Sequence, residues 1–468
     1  MAKLYDTLIE YGKSDYVPLH MPGHKRKVME FENPYSFDIT EIDGFDNLHH
    51  AEGILKEAQK HAAIVCQSDE THFLVNGSSV GILSAVFSAT KQNGELIMAR
   101  NCHKAVYHAA ELRQLKTHFI YPEMLSEGIL GDISVEMVEE AMEQHPEAKT
   151  LILTSPTYDG VVSDIKGIVK AAHAKGVSVI VDEAHGAHFL KESGFPKSAI
   201  RCGADIVIQS THKTLPALTQ TALLHVNKDY RYKEKVRKYL TMFQTSSPSY
   251  VLMASIDQAM HWYMEEGRDA YKEYLSRLKK LRGAFATQLK HLTLLTPEQV
   301  FDYDISKVLI STGKANISGE ELHKRLLKKY HIQSEMVSSE YVLFMTSVAD
   351  TSEDYRRFLD AILEIDSTLE EKQASMQAKE DMGKRKVLMP IFEAIEKKKK
   401  QVPLLESMGE VCGTYIYIYP PGIPLLTPGE KISERCVRYL QNALEEGLEV
   451  HGLSANQEIE IVWEEFFT

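Results

Sequence analysis

The chain has 468 residues, 44% hydrophobic and 25% charged, with a formal net charge of −13. That length buries a full core and suits two or three domains, and the acidic balance leaves no nucleic-acid footprint. Five scattered cysteines without a CxxC pair, no apolar run near the ~20 residues of a membrane span, and a charged N-terminus "MAKLYDTLIEYGKSDY" exclude a disulfide framework, a structural zinc site, a membrane anchor and a signal peptide, so a reduced, cytoplasmic protein is expected.

In chain order, the pattern divides into an N-terminal segment (1–40), a large domain (41–292), a small α/β domain (293–370) and a C-terminal domain (371–468). Within the large domain seven short apolar runs recur: "THFLV", "GELIMA", "THFIY", "TLILTSP", "GVSVIVD", "ADIVIQS" and "TALLHV". Amphipathic stretches such as "VEMVEEAMEQH" and "IKGIVKAAHAKG" lie between them. Strands alternating with helices predict a mainly parallel sheet covered on both faces, with ligands at the carboxyl ends of its strands. "YKEYLSRLKKLRGAFATQL" predicts a long helix leading to the small domain, whose strands are "KVLIST" and "EYVLFMTS". The run "EKKKK" reads as a solvated helix face, and "GTYIYIYPPGIPLLTPGE" as a half-buried strand that stops at prolines.

Three strand ends carry polar residues. After "FLV", Asn76, Gly77, Ser78 and Ser79 open a helix and offer hydroxyls beside free N–H groups, which suits a phosphate, although taken alone an ordinary helix cap is the better account. Asp182 ends "SVIVD", and a carboxylate there needs a cation, N–H donors or a metal. His185 and His188 follow it, but without an HExxH pattern or a second ligand cluster no metal is expected. Lys213 follows "ADIVIQSTH" and is either a buried ion-pair partner or an amine activated by burial to form a Schiff base. Phosphate cradle, strand-end Asp and strand-end Lys, in that order, are what pyridoxal 5'-phosphate requires. His103, after "GELIMA", is a helix cap or a ring that stacks on the coenzyme.

The strings "HMPGHKR", "VNGSSVGIL", "RNCHKAVYHA", "SPTYDGVVSDI", "VDEAHGAHF", "STHKTLPALTQTALLH", "TSSPSYVLMASID" and "YPPGIPLLTPGE" occur in an order that resembles the fold-type I Orn/Lys/Arg decarboxylase family. The resemblance spans Pro18 to Glu430 and is to the short form, since "PLHMPGHK" is complete by Lys25. It implies a pyridoxal-phosphate transferase-like large domain, smaller C-terminal α/β domains, and a homodimer whose active sites lie at the subunit interface. It also implies α-decarboxylation of a basic amino acid, with arginine favoured, lysine next and ornithine third. By the same resemblance Lys213 carries the coenzyme, Asp182 faces the pyridine nitrogen and His103 stacks on the ring. Ser78, Ser79, Ser210 and His212 hold the phosphate; in the mechanism that these parts suggest, Lys213 and His212 are the two candidates for returning a proton to Cα. The "QTSSPSY" loop, with Thr245 to Ser247 and Ser246 at its centre, serves the neighbouring subunit's site. His185 lies against the cofactor without a defined role, Glu430 lines the substrate entrance, and His24 and Lys25 have no assigned step. Two rivals remain: another fold-type I enzyme, such as an aminotransferase using Arg356 or Arg357 for a carboxylate, or a non-catalytic relative.

Overall fold

The computed structural model describes residues 3–27, 31–125, 128–372, 383–418, 422–445 and 449–463. All seven apolar runs of the large domain become strands of one sheet. They are β1 (Glu70–Leu74), β2 (Glu95–Ala99), β3 (Lys116–Ile120), β4 (Thr150–Thr154), β5 (Ser178–Asp182), β6 (Ile206–Gln209) and β7 (Ala222–Val226). Their spatial order is β1-β7-β6-β5-β4-β2-β3, and only β7 runs antiparallel to its neighbours. The central strands are buried on both faces because helices cover both, which is why they read as continuous Val and Ile rather than as alternation. Burying each of Val179, Ile180 and Val181 contributes about 1.5–3 kcal/mol relative to exposure.

Helix α1 (Gly77–Ala89) follows β1 directly, α2 (Lys104–Arg113) follows β2, and the single turn α3 (Thr211–Thr214) follows β6. The parallel arrangement therefore gathers the ends of β5 and β6 and the starts of α2 and α3 at one edge of the sheet. The start of α1 is brought to that edge by the antiparallel pairing of β1 with β7.

The long helix Arg268–Gln288 leads into a second, antiparallel sheet of order β8-β9-β11-β10: β8 (Thr293–Leu295), β9 (Lys307–Ser311), β10 (Met336–Val337) and β11 (Tyr341–Met345). The N-terminal strand Val17–Leu19 pairs in parallel with Ile332–Ser334, so the start of the chain is tied to this unit. A third core forms around Leu404, Ile416, Leu426, Leu440 and Ile461. Here one expectation fails. The "EKKKK" run does not lie on a helix: the helix ends at Glu396, and Lys399–Pro403 is a strand paired with Glu458–Val462. Lysines on a strand with one free edge deter edge-to-edge pairing, so the charge run is a β feature. The end of the tyrosine-rich strand, Tyr419 to Pro421, lies outside the described residues.

Candidate active site

Lys213 occupies α3, directly beyond β6, and its Nζ lies 3.0 Å from His185 Nε2. Burial lowers the Lys213 amine below its usual range, against the pull of Asp182 and Glu335. Asp182, the last residue of β5, is 2% exposed and accepts a hydrogen bond from Ala184 N at 3.1 Å. Burial raises its carboxyl and the nearby Lys213 side chain opposes that rise. The two residues that the sequence reading most depends on are thus neighbours.

Three of the cradle residues also converge. Ser78 Oγ and Ser210 Oγ are 2.6 Å apart, although 132 positions separate them in the chain. Gly77 begins α1 with a left-handed φ of +73°, a conformation that suits glycine. Asn76 makes no capping bond; its Oδ1 accepts from Thr245 N at 3.1 Å instead. The first N–H groups of α1 are therefore left to an anion, which favours the phosphate account of "NGSS" over the capping one. Ser79 is exposed on the first turn. Thr211 Oγ1, in α3, is buried without a hydrogen-bond partner among the described residues. The paired serine hydroxyls, the unspent Thr211 hydroxyl and the start of α1 fit the phosphate of pyridoxal phosphate.

His103 is the N-cap of α2, its Nδ1 accepting from Ala105 N at 3.2 Å, and burial and Lys213 lower its pKa to about 4. The capping alternative for His103 is met, and the ring also lies near Lys213. His212 Nδ1 donates to the Thr221 carbonyl at 2.8 Å, and burial lowers this ring to about 4 as well. Both rings are therefore neutral near pH 7. Ser246 is exposed in its loop, and His49 Nε2 lies 2.9 Å from the Thr245 carbonyl beside the α1 terminus.

Glu430 requires a correction. It is fully buried, its carboxylate receives Arg100 Nε at 3.2 Å and Arg100 Nη2 at 3.1 Å, and it also accepts from Thr427 N at 2.9 Å. It anchors the C-terminal unit to the end of β2 rather than lining an entrance. The aminotransferase signal also dissolves: Arg356 pairs with Glu353 and Asp360 on the surface, and Arg357 donates to the carbonyls of Asp15 and Tyr330.

Sequence reasoning missed a second ring of residues from the small unit. Lys307, the first residue of β9, is fully buried with Nζ 2.9 Å from His185 Nδ1. Glu335 accepts from Tyr158 Oη at 2.6 Å and from Met21 N at 2.8 Å, and its charge reaches both Lys213 and Lys307. Tyr158 stands within the quoted "SPTYDGVV" string, and Lys307 heads an apolar run where a lysine is out of place; Glu335 has no sequence signal.

The description "Orn/Lys/Arg decarboxylase, major domain" matches residues 2–324, and "Orn/Lys/Arg decarboxylase, C-terminal domain" matches residues 372–458. The chain belongs to the Orn/Lys/Arg decarboxylase family. An arginine decarboxylase of Bacillus subtilis is 33% identical over 467 residues, covering 96% of this chain and 95% of its own. The constitutive lysine decarboxylase of Escherichia coli is 27% identical over 237 residues, which is 48% of this chain and 32% of that one. Among solved structures, a Francisella novicida lysine decarboxylase superposes with a TM-score of 0.78 at 18% identity, over 98% of this chain and 80% of that one. The fold is that of the pyridoxal-phosphate decarboxylases, and pyridoxal phosphate is the cofactor of this family. The decarboxylase fold thus brings Ser78, Ser210, Asp182 and Lys213 to one edge of the sheet.

Proposed function

We propose that this decarboxylase converts L-arginine to agmatine, with lysine to cadaverine the next-preferred reaction and ornithine third. The observation that carries the reading is a half-buried Lys213, lowered by burial, within reach of Asp182 and beside the Ser78–Ser210 cradle. The near full-length likeness to arginine decarboxylases supports arginine as the first substrate. Bound through Lys213, pyridoxal phosphate supplies an electron sink for the carbanion left when carbon dioxide departs. Asp182 holds a proton at the ring nitrogen, and its buried position makes that contact strong. His103, neutral, packs against the ring without placing a positive charge beside it. Ser78, Ser79, Ser210 and the α1 terminus bind the phosphate and so fix the site's orientation. His212 keeps an unprotonated Nε2 because its Nδ1 proton is committed to Thr221, so that atom can accept a proton from the substrate or solvent and then return it.

A homodimer working in the cytoplasm completes the reading. The N-terminal helix Lys3–Lys13 buries no residue in this chain, while Leu4 and Tyr5 are 73% and 65% exposed, an apolar face suited to a second copy. The exposed Thr245–Ser247 loop and five free cysteines fit the same picture. A four-part division at 40, 292 and 370 belongs to the same reading. Incubation with arginine, lysine and ornithine, with product amines identified by mass, tests the substrate. Agmatine should form fastest, and Lys213→Ala should abolish both visible coenzyme absorbance and amine release. Turnover retained by Lys213→Ala, or keto-acid-dependent amino transfer without carbon dioxide, would overturn the reading.

A further inference from the structure

We propose that Lys307 fixes the tautomer of His185 and thereby keeps Lys213 a neutral, nucleophilic amine. The inference rests on the reading above that Lys213 is the lysine that captures the coenzyme. The geometry is a straight bridge: Lys307 Nζ, 2.9 Å, His185 Nδ1 on one side, and His185 Nε2, 3.0 Å, Lys213 Nζ on the other. His185 is 5% exposed, and burial between two lysines holds its pKa well below the usual value, so the ring is neutral.

A neutral imidazole has one N–H donor and one lone-pair acceptor. It accepts from one ammonium and cannot accept from two. An N–H aimed at a second ammonium would be repelled, so one of the two lysines must be a free amine with a lone pair. The surroundings select which. Lys307 faces Asp304; burial would raise that carboxyl, but His188, 3.2 Å away, and Lys307 itself outweigh burial and hold it below its usual range. Lys213 faces Asp182, whose carboxyl is raised instead. Glu335 attracts both lysines, Lys25 and Asp159 stand further out around Lys307, and His103 and His212 complete the surroundings of Lys213. The stronger anion stands at Lys307, which therefore carries the charge and donates to Nδ1. The ring proton then resides on Nε2 and points at the Lys213 lone pair.

An ammonium has no lone pair with which to attack an aldehyde, whereas an amine adds to the carbonyl carbon and the oxygen departs as water with the two amine protons. Lys307 is thus a positioning residue, acting through His185 on the group that reacts. Histidine-labelled apoprotein should show His185 protonated on Nε2 by NMR. In Lys307→Met the proton should move to Nδ1, and the pH midpoint for pyridoxal phosphate capture should rise by about one unit, making capture about tenfold slower near neutral pH. Lys307→Arg, which keeps a charged donor, should restore most of that shift, an outcome that a purely space-filling role does not predict. A wild-type ring protonated on Nδ1, or an unmoved midpoint in a folded Lys307→Met, overturns the proposal, and the first result needs no variant. Borohydride fixation and peptide mapping test separately whether Lys213 is the capturing lysine.

Discussion

Asp182 and Glu183 are consecutive acids at the end of β5, both 2% exposed, yet their surroundings differ completely. Glu183 accepts from Ser198 Oγ at 2.6 Å, Ala199 N at 2.7 Å and Gln209 Nε2 at 2.6 Å; Gln209 Oε1 in turn meets His225 Nε2 at 3.0 Å. Asp182 accepts from Ala184 N and otherwise has Lys213 as its charged neighbour. Equal burial therefore does not separate a structural acid from a functional one; unspent hydrogen-bonding capacity does. Exchanging each for its amide breaks the pair apart. Asp182→Asn should still bind pyridoxal phosphate and keep its absorbance but lose about 10³-fold or more in turnover, because an amide cannot hold the ring proton by charge. Glu183→Gln should keep turnover within about threefold and lose about 1–3 kcal/mol of stability by thermal melting, since an amide N–H would face the Ala199 N–H. The pH signs follow. Burial raises the Glu183 carboxyl from 4.5 to about 7, so the folded state binds this proton more tightly than the unfolded chain does. Its contribution is fully present below pH 4.5 and is lost as pH rises through about 7, a slope that Glu183→Gln should remove. If the two variants exchanged phenotypes, the assignment of Asp182 would be wrong.

A third buried acid sharpens the comparison. Glu430 is as enclosed as the other two, but its partner is a full charge from another part of the chain, Arg100, which also donates to the Pro424 carbonyl at 2.5 Å and the Leu425 carbonyl at 3.0 Å. Glu430→Gln leaves the Arg100 guanidinium buried without its counter-charge, and stability should fall by about 3–5 kcal/mol, read by denaturant titration. The ratio of KM values for arginine and lysine should stay as in the wild type. A changed ratio with stability intact would return Glu430 to the substrate entrance.

What the sequence made legible was whatever a single element carries. The seven strands, the strand-end Asp182 and Lys213, and the "NGSS" turn each sit in an unbroken stretch whose pattern states its role. The rest depends on chain segments meeting. Lys307 reaches His185 across 122 positions, Glu430 meets Arg100 across 330, and neither pairing leaves a periodicity to read. Short motifs imply roles by resemblance, which is how Glu430 came to be placed at an entrance when its carboxylate is buried against Arg100 and Thr427 N. The "EKKKK" run went astray for a related reason: charge patterning reports exposure, and an exposed strand edge and an exposed helix face look alike until the partner strand is known.

The "MPGHK" motif, without a step of its own in the sequence reading, is explained by what it grips. Gly23 N donates to the His212 carbonyl at 2.7 Å, and the Gly23 carbonyl accepts from Ser347 Oγ at 2.6 Å. Lys25, 1% exposed, donates from Nζ to the carbonyls of His20 at 2.6 Å and Met345 at 2.7 Å. The segment therefore clamps the small antiparallel sheet to the turn that presents Lys213. No side chain fits at Gly23: a Cβ there would lie 2.6 Å from the Leu215 carbonyl oxygen and 2.8 Å from the Thr214 carbonyl carbon, both backbone atoms that cannot rotate away. Gly23→Ala must then push the two segments apart, costing about 1–3 kcal/mol, less than Glu430→Gln because no charge is stranded. Unlike Glu430→Gln, it acts on the site as well, since α3 is what moves. The expected result is a roughly tenfold weaker hold on pyridoxal phosphate, measured by equilibrium dialysis, because a small misplacement of a reacting group is amplified in its chemistry. A melting point lowered by the same amount with coenzyme affinity unchanged would mean that the clamp supports the fold without positioning Lys213.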